Sequence, residues 1–396
     1  MRIAFITGEY PPLQGGLGDY TRELARALAD TAAAMKHEVH VLSRQVPAPP
    51  LFEVSDGIHV HRLVPGWGWG SIGQVSRFVR DYQLDVLHLQ YQAAAYAMHP
   101  AINLLPRLLA GRRAPLVVTF HDLKVPYLFP KAGRLRWQAV LDMARKAAAA
   151  VVTNREDADA LEHAGLNSVL IPIGSNITPP SPEQRQTFDR AGWRRAHGLP
   201  IDGPLIGYFG FLNESKGGET LVRALAELHH TERPITAHLL LIGGTAGASD
   251  PTNVGYAARI MQLAESLHVR KWIVPTGFLD AHEVSAALAA CDCLALPYQD
   301  GASFRRGTLM AALAHGCAVV TTAPRINLPE LHDGVNMLLV PPGDTPRLAD
   351  ALERVLSDAT LRLRLQAGSL QLGASFAWPA IAMQTVSLYQ RLITDR

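Results

Sequence analysis

Short apolar runs and helix-length segments alternate along almost the whole chain, and the alternation breaks only once. Residues 3–7, 38–42, 59–63, 86–89, 116–120, 150–153 and 169–173 read as strands. Residues 19–35, 72–82, 97–109, 135–149 and 156–164 read as helices between them. Residues 176–204 are proline-rich and polar, and read as a linker followed by a short helical segment. Strand-like runs then resume at 205–209, 238–242, 272–275, 293–296, 318–322 and 337–340. Parallel strands need such crossovers, and burial on both faces makes their sequences continuously apolar. The expected fold is α/β: two Rossmann-like, doubly wound domains in tandem, facing each other across a cleft. The first is placed at 1–178 and the second at 179–378. No strand follows the last helical stretch, 379–393, so it must pack elsewhere in the chain.

A chain of 396 residues holds two to three domains, and 48% hydrophobic with 18% charged residues describes a core-rich globular protein. A net charge of +2 gives no ground for nucleic acid as a partner. The three cysteines, Cys291, Cys293 and Cys317, match no zinc spacing, and their odd number argues against a disulfide framework. Buried thiols in a reducing compartment are expected. The N-terminus reads as a first strand rather than a signal peptide, and no apolar run reaches the ~18 residues of a membrane span. The expectation is a cytoplasmic protein, at most peripheral to a membrane.

Five stretches carry candidate chemistry. Leu294 to Pro324 reads as strand, loop, helix, strand, and its loop holds Arg305 and Arg306 ahead of a helix starting at Thr308. A helix N-terminus with free N–H groups favours anions, and arginine suits bidentate phosphate contact. An ordinary loop with a solvated basic pair is the alternative. Gln14-Gly15-Gly16-Leu17-Gly18 follows the first strand and lets a ligand approach the backbone, or is a plain tight turn. Its spacing is not GxGxxG, which disfavours a nicotinamide enzyme. In Gly210–Gly218, Asn213 or Ser215 is the expected cap of the next helix. Lys216 then falls in the first helical turn, opposed to the dipole unless an anion is bound. His121, in Thr119-Phe120-His121-Asp122, ends a strand and is a candidate substrate contact or a structural histidine. Lys124–Lys146 carries six basic residues against Asp142, with Tyr127, Leu128, Phe129 and Trp137 interleaved. That texture fits an anionic membrane surface, an acidic substrate, or a solvated helix.

Taken in order, these motifs, with the IPIGSNI segment, the GFL at Gly277–Leu279 and the FAW before the final helix, resemble the retaining nucleotide-sugar glycosyltransferases of family 4, with the GT-B fold. The resemblance spans essentially the whole chain. It implies a nucleoside-diphosphate sugar donor held by the second domain and a glycan or lipid-linked acceptor held by the first. Transfer would retain anomeric configuration and need no metal or other cofactor, in the assembly of a cell-surface polysaccharide or glycolipid. It also implies that 379–396 crosses back onto the first domain. By the same resemblance His121 and Lys216 take catalytic roles. Gly15, Gly16, Lys216, Phe278, Asp300, Ser303, Arg305, Arg306, Gly307 and Thr308 form the donor site. Two family glutamates are replaced by Ser303 and Ala311, and a family arginine by Phe211. Asp300 is the one nearby substitute for the first glutamate. The expected compensation is a relocated clamp of Lys216 with Arg305 or Arg306. The alternative is a degenerate, non-catalytic GT-B protein that binds a sugar nucleotide or a partner glycosyltransferase.

Overall fold

Each central strand carries apolar residues on both faces, and both faces are buried. In the first strand, Ile3 and Phe5 enter one core while Ala4 and Ile6 enter the other. The computed structural model of the chain describes residues 1–13, 15–35, 37–109, 114–123, 133–232, 234–243 and 251–394. It divides into two units, Met1–Gly174 with Trp378–Arg396, and Ser175–Ala377.

The first unit runs β1 (Arg2–Thr7), α1 (Gly16–Met35), β2 (Glu38–Arg44), β3 (Phe52–Ser55), β4 (Ile58–Val64), α2 (Trp69–Asp81) and β5 (Val86–Tyr91). It continues through α3 (Leu105–Leu109), β6 (Leu116–Phe120), α4 (Gly133–Lys146), β7 (Ala149–Val152), α5 (Arg155–His163) and β8 (Val169–Leu170). The sheet order is β3-β4-β2-β1-β5-β6-β7-β8, parallel except for the β3–β4 pair. The second unit runs α6 (Pro182–Thr187), α7 (Arg190–Ala196), β9 (Leu205–Phe209), α8 (Gly218–His230), β10 (His238–Ile242), α9 (Pro251–Ser266) and β11 (Ile273–Pro275). It continues through α10 (Ala281–Ala290), β12 (Cys293–Leu296), α11 (Gly307–Ala314), β13 (Val319–Thr322), β14 (Leu338–Val340), α12 (Thr345–Ser357) and α13 (Ala359–Ala374). Its six strands are all parallel, in the order β11-β10-β9-β12-β13-β14. Both sheets are of the Rossmann-like, doubly wound type.

The last helix, α14 (Trp378–Thr394), belongs to the first unit and packs along α1. Ile381, Ala382, Val386 and Tyr389 complete the core on the Ile3–Phe5 face. Tyr389 shares a 2.5 Å hydrogen bond with His88 Nδ1, and His88 Nε2 lies 2.6 Å from Thr119 Oγ1. Burial pushes the His88 pKa down to about 3, so the ring is neutral and one nitrogen donates while the other accepts.

The structure departs from the sequence expectations at four places. Residues 97–109 form no continuous helix: two 3₁₀ turns, Ala93–Tyr96 and Pro100–Leu104, precede α3, because Ala97 and Met98 adopt left-handed φ of 51° and 56°. α1 begins at Gly16 rather than Asp19, since the Glu9 carboxylate accepts from Leu17 N and caps the early turn. β3 lies on the sheet edge, where its side chains are mostly exposed and show no apolar run. The segment expected as a linker followed by a short helical segment holds two capped helices. Arg194 is buried and donates to Ala290 O and Asp292, while Asp292 accepts from Leu205 N, which fastens α7 to the base of the second sheet. The three cysteines are free and buried.

Candidate active site

The second unit builds a cationic site at the carboxyl ends of β9 and β12. After β9 the chain turns at Gly210, whose φ of 115° only glycine adopts readily. Asn213 then accepts from Lys216 N at 3.1 Å and caps a 3₁₀ turn, Glu214–Lys216. Lys216 thus lies in this turn, not in the first turn of α8 as the sequence led us to expect. Gly217 follows with φ 72°, and a Cβ there would collide with the Pro297 carbonyl. That close approach lets Gln299 N donate to Ser215 O at 2.8 Å, so the lysine turn is bound to the chain leaving β12.

The Lys216 ammonium lies over Gly210, where a Cβ would sit 2.7 Å from Nζ and 3.0 Å from the Thr308 methyl. Thr308 is in the first turn of α11, and its hydroxyl shares a 2.7 Å hydrogen bond with Tyr298. Among the described residues no side chain caps α11, so its first N–H groups point outward from a positive dipole end. Arg306 sits at the N-cap position, stacks its guanidinium 5.0 Å from the Tyr298 ring centre, and pairs with the Asp300 carboxylate. Burial, and then the Arg306 charge, lower the Lys216 pKa to about 8. Among the described residues no carboxylate forms an ion pair with Lys216. Two cations whose charges act on each other, of which only Arg306 pairs with a carboxylate among the described residues, mark a site for an anion.

The other expected donor residues distribute unevenly. Ser303 Oγ accepts from Arg305 N at 3.3 Å and so shapes its own loop. Asp300, expected to stand in for a missing carboxylate, has its oxygens on Arg306. Gly307 opens α11 and is exposed. Phe278 is 82% exposed beyond β11, two strands away from β9, and the structure does not bring it to Lys216. Ala311 is 1% exposed, so a glutamate there would place its stem in packed surroundings.

In the first unit, the Gly15-Gly16 loop already holds an anion of its own. The Glu9 carboxylate accepts from Leu17 N at 3.2 Å, and a Cβ on Gly15 would collide with it. Burial raises the Glu9 pKa. Gln14 lies outside the described residues. His121 continues β6: its N–H donates to Tyr91 O and its Nε2 lies 2.8 Å from Gln90 Oε1. The Tyr20 ring packs edge-on 4.5 Å from it, and burial pushes its pKa down to about 3. His121 is therefore neutral and acts through hydrogen bonds, not charge. Beside it lies a cavity of about 330 Å³ lined by Tyr91, His99, Asn103, Asp122 and Arg136. Of the basic segment, Lys124, Tyr127, Leu128, Phe129 and Lys131 lie outside the described residues. The described remainder, on α4, exposes Arg134, Leu135, Arg145 and Lys146. No helix among the described residues is long and apolar enough to cross a membrane.

Sequence reasoning missed Glu9, Tyr298 and Gln90. Glu9 lies eight residues before the N–H that it caps, outside any local capping pattern. Tyr298 had a signal, an aromatic next to the proline that ends β12.

Residues 203–358 match the family model described as glycosyl transferases group 1, and residues 15–174 match that of the glycosyl transferase 4-like domain. The chain is 28% identical to a D-inositol 3-phosphate glycosyltransferase of Xylanimonas cellulosilytica, over 100% of this chain and 98% of that protein. It is 27% identical to the protein of the same name from Corynebacterium diphtheriae, over 98% and 94%. Among solved structures, sucrose-phosphate synthase from Thermosynechococcus elongatus superposes with a TM-score of 0.76 at 22% identity, covering all of both chains. Anabaena Alr3699/HepE in complex with UDP-glucose superposes with a TM-score of 0.71 at 19% identity, over 99% and 100%. With two domain models matched in the order of the two units and relatives aligned end to end, the chain belongs to the family 4 glycosyltransferases of the GT-B fold.

Proposed function

We propose that this glycosyltransferase moves a sugar from a nucleoside-diphosphate sugar to a hydroxyl acceptor with retention of anomeric configuration and without a metal. The observation that carries the reading is the Lys216 ammonium over Gly210, beside Thr308 in the first turn of α11, with Arg306 at that helix's N-cap position. The leaving group is a diphosphate, and fixed positive charge where negative charge develops lowers the barrier. In the step, the bond from the anomeric carbon to the phosphate oxygen breaks and the bond to the acceptor oxygen forms. The acceptor proton passes to the departing diphosphate, while the Asp300 carboxylate is held by Arg306. His121, neutral and half-buried, is assigned as a hydrogen-bond partner of a substrate hydroxyl.

The acceptor reading is a glycan or lipid-linked glycan of the cell surface, with the basic segment Lys124–Lys146 resting on an anionic membrane. The name of the curated relatives favours a phosphorylated inositol as the competing acceptor. The UDP-glucose complex of the Anabaena protein makes UDP the first nucleoside to try. Release of free nucleoside diphosphate is measured with a panel of donors, with and without each acceptor class. Acceptor-dependent release supports the transferase reading and names the acceptor. The replacement of both family carboxylates by Ser303 and Ala311 favours a second reading, a non-catalytic sugar-nucleotide binder. Donor binding with no release for any acceptor establishes that reading instead.

A further inference from the structure

Away from the donor and acceptor candidates, the β2–β4 pair near the β3 edge of the first sheet gathers a set of ligating side chains. β2 and β4 pair in parallel with His40 opposite His59. Glu38 precedes His40 by two residues and so shares its face of the sheet. The ligand-capable atoms of Glu38, His40 and His59 all lie within 4.8 Å of one another. His40 is 1% exposed, and among the described residues its buried Nε2 has no hydrogen-bond partner. That nitrogen stands 3.2 Å from Glu38 Oε1 without N–H···O geometry. A buried polar atom left in this state is costly unless something else satisfies it.

We propose that Glu38, His40 and His59 form a binding site for a divalent transition-metal cation, with zinc the best match to the nitrogen and carboxylate donors. Four-coordinate zinc, with bonds of about 2.0–2.1 Å, sets its ligand atoms roughly 3.3 Å apart. The 3.2 Å between His40 Nε2 and Glu38 Oε1 fits that spacing. The surroundings already orient the ligands. His40 Nδ1 lies 3.1 Å from His61 Nε2, which can accept the second N–H that a ligating histidine donates. Arg2 Nε holds the other Glu38 oxygen at 3.2 Å, leaving Oε1 for the cation. The Tyr82 ring packs 5.2 Å from His40 and 4.6 Å from His61, fixing both rings. The Glu38 side chain is 43% exposed, which leaves an entry path and a fourth position for water. β1 and β5 separate this edge from His121 at the end of β6, so the cation has a structural role, tying β4 to β2.

The test uses the full chain, stripped with EDTA and dialysed against zinc or cobalt(II). Wild type is expected to bind one equivalent of zinc per chain. Glu38→Gln and His59→Gln, both at partly exposed positions, are each expected to bind at least tenfold more weakly, with melting curves taken in EDTA unchanged. Cobalt is expected to give the visible absorption of a four-coordinate site, lost in both variants. Histidine-ring ¹⁵N NMR of the wild type during the zinc titration is the readout that needs no variant, with shifts expected at His40 and His59. Less than a tenth of an equivalent bound at micromolar zinc, unchanged affinity in both variants, or NMR shifts confined to other histidines overturns the proposal.

Discussion

Replacing Lys216 by methionine is expected to stabilise the ligand-free protein while removing its grip on the donor. The lysine pKa falls from its ordinary 10.5 to about 8, from burial first and then the Arg306 charge. That fall corresponds to about 3 kcal/mol against the charged form, reduced to about 1–3 kcal/mol because water still reaches part of the group. Methionine keeps the stem and drops the charge. At about 2–4 °C per kcal/mol for a domain of this size, melting without ligand rises by roughly 2–12 °C at pH 7. The sign with pH follows from linkage. The folded pKa lies below the unfolded one, so the penalty is complete below about pH 8 and is relieved as pH climbs from about 8 towards 10.5. The stability gap between wild type and variant therefore closes over that window. Binding runs the other way. A lost charge-assisted contact of about 1.5–3 kcal/mol weakens nucleoside-diphosphate affinity by about 10–150-fold. In wild type, affinity falls by up to tenfold per pH unit above about 8. The assay is a thermal shift with UDP, GDP, ADP and dTDP, in which a ligand at about 100 times its dissociation constant adds about 2.7 kcal/mol. A variant that melts below wild type without ligand, or that keeps the full nucleotide shift, refutes the reasoning.

Arg306→Ala is expected to weaken nucleotide binding about tenfold or more, while Arg305→Ala changes it less than threefold, because only the Arg306 charge acts on Lys216; titration calorimetry on both reads the difference. Gly217→Ala is expected to reduce both donor binding and melting temperature, since its Cβ meets the Pro297 carbonyl and its φ is 72°; a variant with unchanged melting and activity contradicts the packing described. Tyr389→Phe strands the buried His88 Nδ1 and is expected to cost about 1–3 kcal/mol in denaturant unfolding, with donor affinity unchanged. Binding to anionic but not neutral liposomes at low salt, lost at high salt, is expected from the basic segment; sedimentation measures it.

Most strands were legible because parallel strands buried on both faces are continuously apolar, as at Leu205–Phe209 and Cys293–Leu296. β3 was not, because an edge strand buries little and shows no such run. The region at 97–109 was misread as one helix because its apolar content says nothing of the left-handed turn at Ala97 and Met98. The arginine pair and Lys216 were readable as candidates, but which arginine faces the lysine depends on the loop between β12 and α11. The Asp300–Arg306 pair closes within that loop and was not foreseen. Glu9 shows the limit of motif reading most plainly. The paired glycines were read as room for a ligand to approach the backbone or as a plain tight turn, while Gly15 makes room for the protein's own carboxylate. The histidines of β2 and β4 are separated in sequence, and only the parallel register sets His40 against His59.

The account rests on a diphosphate site made by Lys216, Arg306 and the start of α11. Its most direct test is competition calorimetry: inorganic pyrophosphate against the best-binding nucleoside diphosphate, on wild type and Lys216→Met. The account predicts one nucleotide site per chain, displaced competitively by pyrophosphate, with both ligands weakened together in the variant. Nucleotide binding that ignores pyrophosphate, or that survives unchanged in Lys216→Met, contradicts it.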